Sequence, residues 1–464
     1  MMTIKGLRPQ YKFDSPDKDV VLMENKPVRI SVGQESCEGD GKAILHVGRK
    51  PRIKITMPLK NVDLWQLSSK VFNPEAHQGD ATLELTDRNI TLNNGHICDF
   101  GGGKWSIVSE ENEFSIISWE SLREPFTVLG NVKSRIDSLV FHLLNCPELS
   151  LPNSKESTGN GGWSAISIIT LSWKDWIVEF KSIPKLDETI KQLRDNGGFG
   201  LTHVGAMRKK DNSTFKIEDI GQLRDGFSCF MDFVVGRSCW PCFCVGYQDG
   251  AKTYEDWGTT FSRWYSPMTW GTGDWKQSKA SETLEVLFPL FMEFFNQEQT
   301  KGALSECISW YLSTTEPGRP HIDQALILLQ AGIERMSYEY AVNQKKLIHK
   351  TGFKDLRASD RFRMLFSSLG IPLDIPIELS DLTNLAKQLN WEDVPHSLTE
   401  IRNAVVHPEH KRKGQIKDIY YDAWRVAIEY LELSILAFCG YTGQYYSRIK
   451  EQNINVPWKK ELSS

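Results

Sequence analysis

Apolar and polar residues alternate along several segments of the first 300 residues. In Ala81-Thr82-Leu83-Glu84-Leu85-Thr86 every second side chain is apolar, and residues 52–57 repeat this pattern. Successive side chains of a strand point to opposite faces, so this period predicts strands with one buried face. Further strands are predicted at residues 114–119, 166–171 and 230–235. Eleven of the 15 tryptophans fall in this part of the chain, which suits large β cores.

Turn and helix signals interrupt these strands. Asn93-Asn94-Gly95 directly follows an apolar segment and predicts a hairpin turn. The glycines at 101–103 and the Ser, Asn and Gly residues of 154–162 predict loops, and the second loop would divide the β-rich part into two lobes. Short helices are predicted at 133–144 and 186–194.

From residue 301 onward the apolar period becomes that of a helix. Apolar residues recur at three- and four-residue spacings at Ile322, Ala325, Leu326, Leu329, Ile333 and Met336. The same spacing is found within 382–389, 398–405 and 424–435, and a preceding helix is predicted at 282–297. Several helices with short connections predict an α bundle.

The predicted fold class is therefore α+β. A β-rich region, residues 1–300, precedes a helical bundle, residues 301–450, and a tail, residues 451–464.

Composition restricts the class of protein. The 464 residues are 40% hydrophobic and 25% charged, which is typical of globular proteins with two or three domains. Nine cysteines, an odd number, argue against a disulfide framework. The first residues lack the pattern of a signal peptide and no long apolar run is present, so we expect a cytoplasmic protein without a membrane partner. With a net charge of −4, any RNA contact needs a local basic patch.

The strongest chemical signal is Arg402-Asn403-Ala404-Val405-Val406-His407. Arginine has a permanent charge and a planar fork that fits phosphate, and histidine exchanges protons near neutral pH. RNA cleavage needs both functions, and the 2′-hydroxyl of RNA can serve as the nucleophile without a metal. Asn403 would orient the phosphate or the imidazole.

The surrounding residues predict how these groups are presented. Ser397 and Glu400 have the spacing of a capping box, so the helix is predicted to begin at Ser397. Residues five apart on a regular helix point about 140° away from each other. Pro408 disfavours a helical conformation at His407, so His407 should end the helix and take its own direction.

A basic run follows the motif. Lys411, Arg412 and Lys413 are predicted to contact the phosphates that flank the cleaved bond, because neutralised phosphates release counterions and strengthen binding. A solvated charge run without function is the other interpretation.

The motif resembles the active-site pattern of HEPN domains, which are small helical bundles found in many bacterial ribonuclease toxins and defence proteins. Long helix-like runs lie on both sides of it, at 324–342 and 416–438. The stretch Ser367-Ser368-Leu369-Gly370-Ile371-Pro372 resembles connectors in the abortive-infection proteins of the ApeA-like group. The resemblance covers residues 301–450.

This resemblance implies a metal-independent endoribonuclease with no cofactor. Two domains would pair as a homodimer, with their motifs facing each other across a composite cleft. His407 would act as general acid or base, and Arg402 would stabilise the charge on the phosphate. It also implies an antiviral effector that arrests growth by cleaving RNA such as tRNA, with a phage-derived or cellular trigger. The β-rich region, residues 1–300, would then act as a sensor or restraint.

Two other interpretations stay open. Cys239-Trp240-Pro241-Cys242 has a spacing found in zinc knuckles and redox pairs, with Cys229 and His203 as further ligands, although buried unligated cysteines are the commoner case. The protein could also be a non-catalytic interaction protein, in which the β region recognises a ligand and the helical region only dimerises.

Overall fold

A computed structural model describes most of the chain. The described residues are 7–14, 16–32, 35–47, 51–59, 81–107, 110–121, 127–150, 152–157, 162–258, 262–265, 280–315, 321–407 and 416–459.

The first six strands form a closed antiparallel barrel. Their order is β1-β2-β3-β6-β5-β4, and β4 pairs with β1 to close it. The strands are β1 (Val20–Val32), β2 (Glu35–His46), β3 (Arg52–Leu59), β4 (Ala81–Leu85), β5 (Ile90–Ile107) and β6 (Glu110–Ser121). Alternate residues of β4 are buried, as the sequence period predicts.

Two turn and loop predictions in the barrel were wrong. The β4–β5 turn lies at residues 86–89, where Asn89 adopts the left-handed conformation that asparagine tolerates. Asn93-Asn94-Gly95 lies inside β5, and so do the glycines at 101–103. The long pairing of β5 with β6 includes Gly101 opposite Ile116, so the ladder overrides the local loop signal.

The second region is built on a seven-stranded antiparallel sheet of order β12-β13-β14-β9-β16-β17-β7. Its strands are β7 (Thr127–Leu129), β9 (Ser138–Leu144), β12 (Ile168–Trp173), β13 (Trp176–Ser182), β14 (Leu201–Lys209), β16 (Cys242–Gln248) and β17 (Ala251–Asp256). Short strand pairs flank it: β8 (Arg135–Ile136) with β15 (Phe215–Lys216), and β10 (Ser154–Ser157) with β11 (Trp163–Ile166).

The helix predicted at 133–144 is strand β9 at the centre of this sheet. All seven β9 residues are buried because the barrel core covers part of one face and helices cover the other. A strand buried on both faces loses its alternation and reads as a continuous apolar run, which periodicity cannot distinguish from a helix. The predicted loop at 154–162 begins with β10, and residues 158–161 lie outside the described part.

Ten α-helices are described. They are α1 (Leu186–Asn196), α2 (Gly221–Val235), α3 (Ala280–Phe295), α4 (Glu298–Thr315), α5 (Ile322–Tyr338), α6 (Lys350–Asp355), α7 (Ala358–Leu369), α8 (Ser380–Leu389), α9 (Val394–Val406) and α10 (Tyr420–Phe438). The strand predicted at 230–235 is the end of α2, which packs Phe227 and Phe230 against Phe288 of α3. A π-helical turn, Glu339–Gln344, follows α5.

A hairpin of β18 (Gln444–Ser447) and β19 (Gln452–Asn455) follows α10, so the predicted tail begins inside this hairpin. The α+β fold class is confirmed: a β-rich part precedes a helical part. One continuous apolar core runs from the central sheet through α2 and α3 into the helical bundle. Among the described residues, no helix has the length and apolar character needed to cross a membrane.

Candidate functional site

Helix α9 carries the motif, and it begins earlier than predicted. Asp393 caps it, accepting a hydrogen bond from the backbone N–H of His396 at 2.8 Å, and Pro395 occupies the first turn. The predicted Ser397 cap was wrong, because its hydroxyl lies inside the helix and donates to the Asp393 carbonyl at 2.9 Å. The aspartate and the proline provide a stronger start signal four residues upstream.

One face of α9 is buried as the apolar spacing predicts. Leu398, Ile401 and Ala404 are fully buried, whereas Val405 is only half-buried. Arg402 and Asn403 lie off this face and are half-buried. Replacing their side chains should therefore leave the packing of the helix intact.

His407 ends the helix as the proline rule predicts. Its φ of −97° and ψ of 111° are extended rather than helical, and its backbone N–H donates to the Asn403 carbonyl at 2.9 Å. The imidazole is exposed. The His407 side chain therefore projects from the end of the helix and is accessible to solvent.

Asn403 connects the other two motif residues. Its carbonyl holds the His407 backbone, and its side-chain oxygen accepts a long hydrogen bond of 3.4 Å from the Arg402 guanidinium. Among the described residues, that contact is the one hydrogen bond of the guanidinium that the structure gives. Arg402 therefore keeps most of its donors available for a phosphate.

Ion pairs with α7 give the direction of α9 in the bundle. Arg361 pairs with Glu334 near the end of α5, and Arg363 pairs with Asp393 at the start of α9, with 2.7 Å between Nε and Oδ2. The two arginines are two residues apart, about 3 Å along a helix axis. The start of α9 therefore lies level with the last turns of α5.

A hydrogen bond further along fixes the opposite directions of α5 and α9. The Gln330 side-chain amide of α5 donates to the Leu398 carbonyl of α9 at 2.6 Å. From Glu334 back to Gln330 on α5 is four residues, and from Asp393 forward to Leu398 on α9 is five. The two helices therefore run in opposite directions. The motif at the end of α9 consequently lies beside the first turn of α5.

This placement brings further polar side chains toward the motif. The sequence pattern did not indicate these side chains. The first turn of α5 contains Asp323, preceded by His321, and Tyr420 begins α10. Burial raises the pKa of Tyr420, and the negative charge of Asp323 raises it further, so the two groups lie within electrostatic range of each other. About 80 residues separate Asp323 from Arg402 in the chain, so no local sequence pattern predicts that their helices lie side by side.

Two exposed apolar side chains border the same end of the bundle. Val406 is 39% exposed beside His407, and Tyr421 is 54% exposed next to Tyr420. The predicted basic residues Lys411, Arg412 and Lys413 fall in the connection between α9 and α10 and lie outside the described residues.

Cys239 and Cys242 are buried, and their thiols form hydrogen bonds with backbone carbonyl groups. The Cys239 thiol lies 3.7 Å from the Leu144 carbonyl, and the Cys242 thiol lies 3.1 Å from the His142 carbonyl. His203 is fully buried, and neither of its ring nitrogens has a hydrogen-bond partner in the part of the chain that the structure describes. This burial lowers its pKa to about 3. Among the described residues, no group of three or more His, Cys, Asp or Glu side chains is arranged to hold a metal ion.

With this geometry in view, comparisons relate the chain to one group of proteins. Residues 131–267 match the family model "YopA central domain", and residues 297–459 match "YopA C-terminal domain". The first match covers most of the central sheet, and the second covers α4 to the C-terminal hairpin.

The chain is similar to the SPbeta prophage-derived protein YopA of Bacillus subtilis (strain 168). The two are 27% identical over 303 residues, which is 62% of this chain and 65% of that protein. The match thus spans less than two thirds of the relative's length. No solved structure matches the chain.

Proposed function

We propose that the protein is a metal-independent endoribonuclease whose active site is built from Arg402, Asn403 and His407. The observation that carries this proposal is the end of α9, where the exposed His407 and the half-buried Arg402 both contact Asn403, the histidine through its backbone N–H and the arginine through its guanidinium. These groups match what the cleavage of an RNA phosphodiester requires.

The reaction uses the RNA 2′-hydroxyl as nucleophile. A histidine base removes the proton of that hydroxyl, the 2′-oxygen attacks the phosphorus, and the bond to the 5′-oxygen breaks. A histidine acid returns a proton to the leaving 5′-oxygen. Arg402 stabilises the charge that develops on the phosphoryl oxygens. The products are a 2′,3′-cyclic phosphate and a 5′-hydroxyl.

A homodimer supplies the second histidine. If two copies meet at the motif end, one His407 acts as base and the other as acid across a composite cleft. The exposed Val406 and Tyr421 give this surface an apolar rim that suits self-association. A two-fold axis would then pass close to the motif.

The biological setting we propose is antiviral defence in the cytoplasm, with cellular RNA such as tRNA as substrate. The similarity to a protein described as prophage-derived supports this setting. A phage-derived or cellular trigger would act through the β-rich region.

A test uses purified protein, a defined RNA and excess EDTA. Cleavage that leaves a 2′,3′-cyclic phosphate end, persists in EDTA and disappears in His407→Ala supports the proposal. Equal cleavage by wild type and a folded His407→Ala variant would overturn it.

The same apolar rim favours a second candidate, a protein that dimerises without catalysis. Stable dimers that cleave no RNA with or without added divalent cations would favour this candidate.

A further inference from the structure

Two cysteines from distant segments meet inside the β-rich part of the protein. Cys146 follows strand β9, and Cys239 lies in the connection from α2 to β16. Both are fully buried. Burial raises the pKa of the Cys146 thiol, and a hydrogen bond with the Cys239 thiol raises it further. The two sulfur atoms are therefore within hydrogen-bonding distance of each other.

The Cys-x-x-Cys spacing of the sequence does not form this pair. The Cys242 thiol donates to the His142 carbonyl at 3.1 Å, whereas the Cys239 thiol lies 3.7 Å from the Leu144 carbonyl. These carbonyls belong to residues two apart on β9, which is about 7 Å along a strand. Cys239 thus lies toward the end of β9 that leads to Cys146.

The two thiols share a buried cation. Arg237 is fully buried, and its Nε and Nη2 have no hydrogen-bond partner in the described part of the chain. Burial lowers the pKa of Arg237 to about 10, and negative charge on Cys239, Tyr265 or Cys146 opposes this shift. The guanidinium is therefore charged at neutral pH, and no carboxylate of the described residues pairs with it. An unpaired buried charge is costly, so Arg237 favours negative charge on a neighbouring sulfur.

Aromatic rings hold the guanidinium in place without neutralising it. Its central carbon lies 4.1 Å from the centroid of the Trp264 ring and 5.4 Å from that of Tyr265. One of its nitrogens donates to the Tyr265 carbonyl, and the Tyr265 hydroxyl donates to the Gly236 carbonyl at 2.9 Å. The position of Arg237 beside the thiols is thus built into the fold.

The backbones of both cysteines are also fixed. The Cys239 N–H donates to the Asp232 carboxylate at 3.2 Å, and the Cys146 N–H donates to the Thr202 hydroxyl at 3.0 Å. The fold therefore keeps two thiols in contact, which is the arrangement that a disulfide needs.

We propose that Cys146 and Cys239 form a reversible disulfide when the protein meets a peroxide, with Arg237 as the positioning residue. The Cys239 thiolate attacks one peroxide oxygen, and the O–O bond breaks to give a sulfenic acid and hydroxide, which takes up the thiol proton as water. The Cys146 thiol then attacks the Cys239 sulfur, the S–S bond forms, and the sulfenic oxygen leaves with a proton as a second water. The two sulfurs are oxidised and the peroxide is reduced.

Electrostatics give the order of these steps. Cys239 affects the charged state of Arg237 more strongly than Cys146 does, so the guanidinium stabilises a thiolate best on Cys239. Because both thiols are fully buried, the oxidant must be small and uncharged, as hydrogen peroxide is. This chemistry does not depend on the ribonuclease proposal.

The test is peptide mapping of the full-length protein after treatment with hydrogen peroxide, by mass spectrometry without reduction. A Cys146–Cys239 cross-linked peptide is expected, and dithiothreitol should restore both thiols. The disulfide closes a loop of about 90 residues, so the oxidised protein should unfold at a temperature roughly 5 °C higher. Cys242→Ala, which changes the other cysteine of the motif, is the matched control and should form the same cross-link.

Single variants test the order of attack. Cys146→Ala should accumulate a sulfenic acid on Cys239 that dimedone traps, because the second thiol is missing. Cys239→Ala should leave Cys146 as a thiol. The wild-type peptide map decides whether the disulfide forms even where a variant does not fold.

Two substitutions test the cation. Arg237→Met should slow cross-linking about tenfold, and Arg237→Lys should recover part of the rate because it keeps the charge. Removing an unpaired buried charge should leave the unfolding temperature close to that of wild type. His407→Ala should oxidise like wild type, so failure of this site and failure of the ribonuclease proposal are distinguishable.

Several results would overturn the proposal. One is a Cys239–Cys242 disulfide in place of the expected one. Another is a folded protein in which both Cys146 and Cys239 stay reduced after millimolar peroxide. Equal cross-linking rates in wild type and a folded Arg237→Met variant would remove the arginine from the site.

Discussion

The helical region contains two arginine clusters that differ in how tightly the protein holds them. In the hairpin cluster, Arg448 is buried, its Nε lies 3.1 Å from Glu432, and the Tyr311 hydroxyl donates to the same carboxylate at 2.8 Å. At the motif end, Arg402 is half-buried, and its guanidinium has one long hydrogen bond to the described residues, with Asn403. A charge that is fully bonded inside the protein stabilises the fold, whereas a charge with spare donors is available to a substrate.

The largest effect is expected at the motif end. Arg402→Ala and His407→Ala should each lower RNA cleavage by roughly 10² to 10⁴, the usual contribution of a general acid, base or charge-stabilising group. Their free energies of unfolding should change by less than about 0.5 kcal/mol because neither side chain packs in the core. Initial rates and urea unfolding provide the two measurements.

Matched controls for that prediction are Arg357→Ala and His349→Ala, exposed residues of the same region at the starts of α7 and α6. They should cleave like wild type. A folded Arg402→Ala variant with full activity would remove this arginine from the site.

The opposite result is expected in the hairpin cluster. Arg448→Met should destabilise the protein by about 3–5 kcal/mol, because Glu432 then remains buried without its cation. Urea unfolding measures this loss. Arg29→Met removes a half-buried arginine that pairs with Glu38 and Glu84 on the surface of the barrel, and it should have a much smaller effect. Similar losses for both variants would contradict the distinction between the two clusters.

The apolar rim of the motif end tests assembly. Val406→Glu should weaken dimerisation on the order of tenfold, since it places a charge in an apolar contact. Cleavage by this variant should then decrease at protein concentrations where wild type is still dimeric. Ile377→Glu, at a more exposed apolar position elsewhere, is the control. Sedimentation that shows equal dimer stability for both variants would place the interface elsewhere.

The basic run should affect binding more than chemistry. Replacing Lys411, Arg412 and Lys413 with Ala should weaken RNA binding and reduce the slope of log K against log salt by about two for single-stranded RNA. The cleavage rate at saturating RNA should change far less than in His407→Ala. Filter binding at several salt concentrations measures the slope.

A second basic cluster provides the control for this experiment. Lys345 and Lys346 are exposed in the connection that precedes α6, and the exposed Lys350 is the first residue of α6. Their triple replacement should leave the salt slope unchanged. Equal changes in both triple variants would indicate a general effect of net charge.

The smallest effect concerns pH. Burial raises the pKa of Glu429, which accepts hydrogen bonds from Tyr445, Ser447 and the Ile449 backbone. Because its pKa in the folded state is above the ordinary value of 4.5, the stability it contributes is present at lower pH and is lost as pH rises through the folded pKa. Glu429→Gln should make the free energy of unfolding less dependent on pH above 4.5. An unchanged dependence would exclude Glu429 as its source.

Elements with a clear amphipathic period could be predicted from the sequence. Strand β4, helix α1 and the buried face of α9 follow their patterns, and His407 leaves the helix as its proline neighbour requires. Strand β9 and the end of α2 were mistaken for each other's type, because both are buried on all sides and lose the alternation that separates strand from helix.

The predicted site depended on local sequence and was limited by it. Arg402 and His407 could be selected from six consecutive residues, because the local geometry of a helix end determines where both side chains lie. Asp323 and Tyr420, which helix packing places toward the motif end, come from other helices. Such contacts are decided by packing, which a single sequence does not display.

The continuous core between the central sheet and the helical bundle has a consequence for how the protein melts. Two regions that share one apolar core lose it together, so calorimetry should record one heat-absorption peak for them rather than two. A ligand that binds to the sheet then also raises the free energy of unfolding of α9, because the sheet and the helix unfold together. A fragment cut between the two regions would expose the shared surface and aggregate.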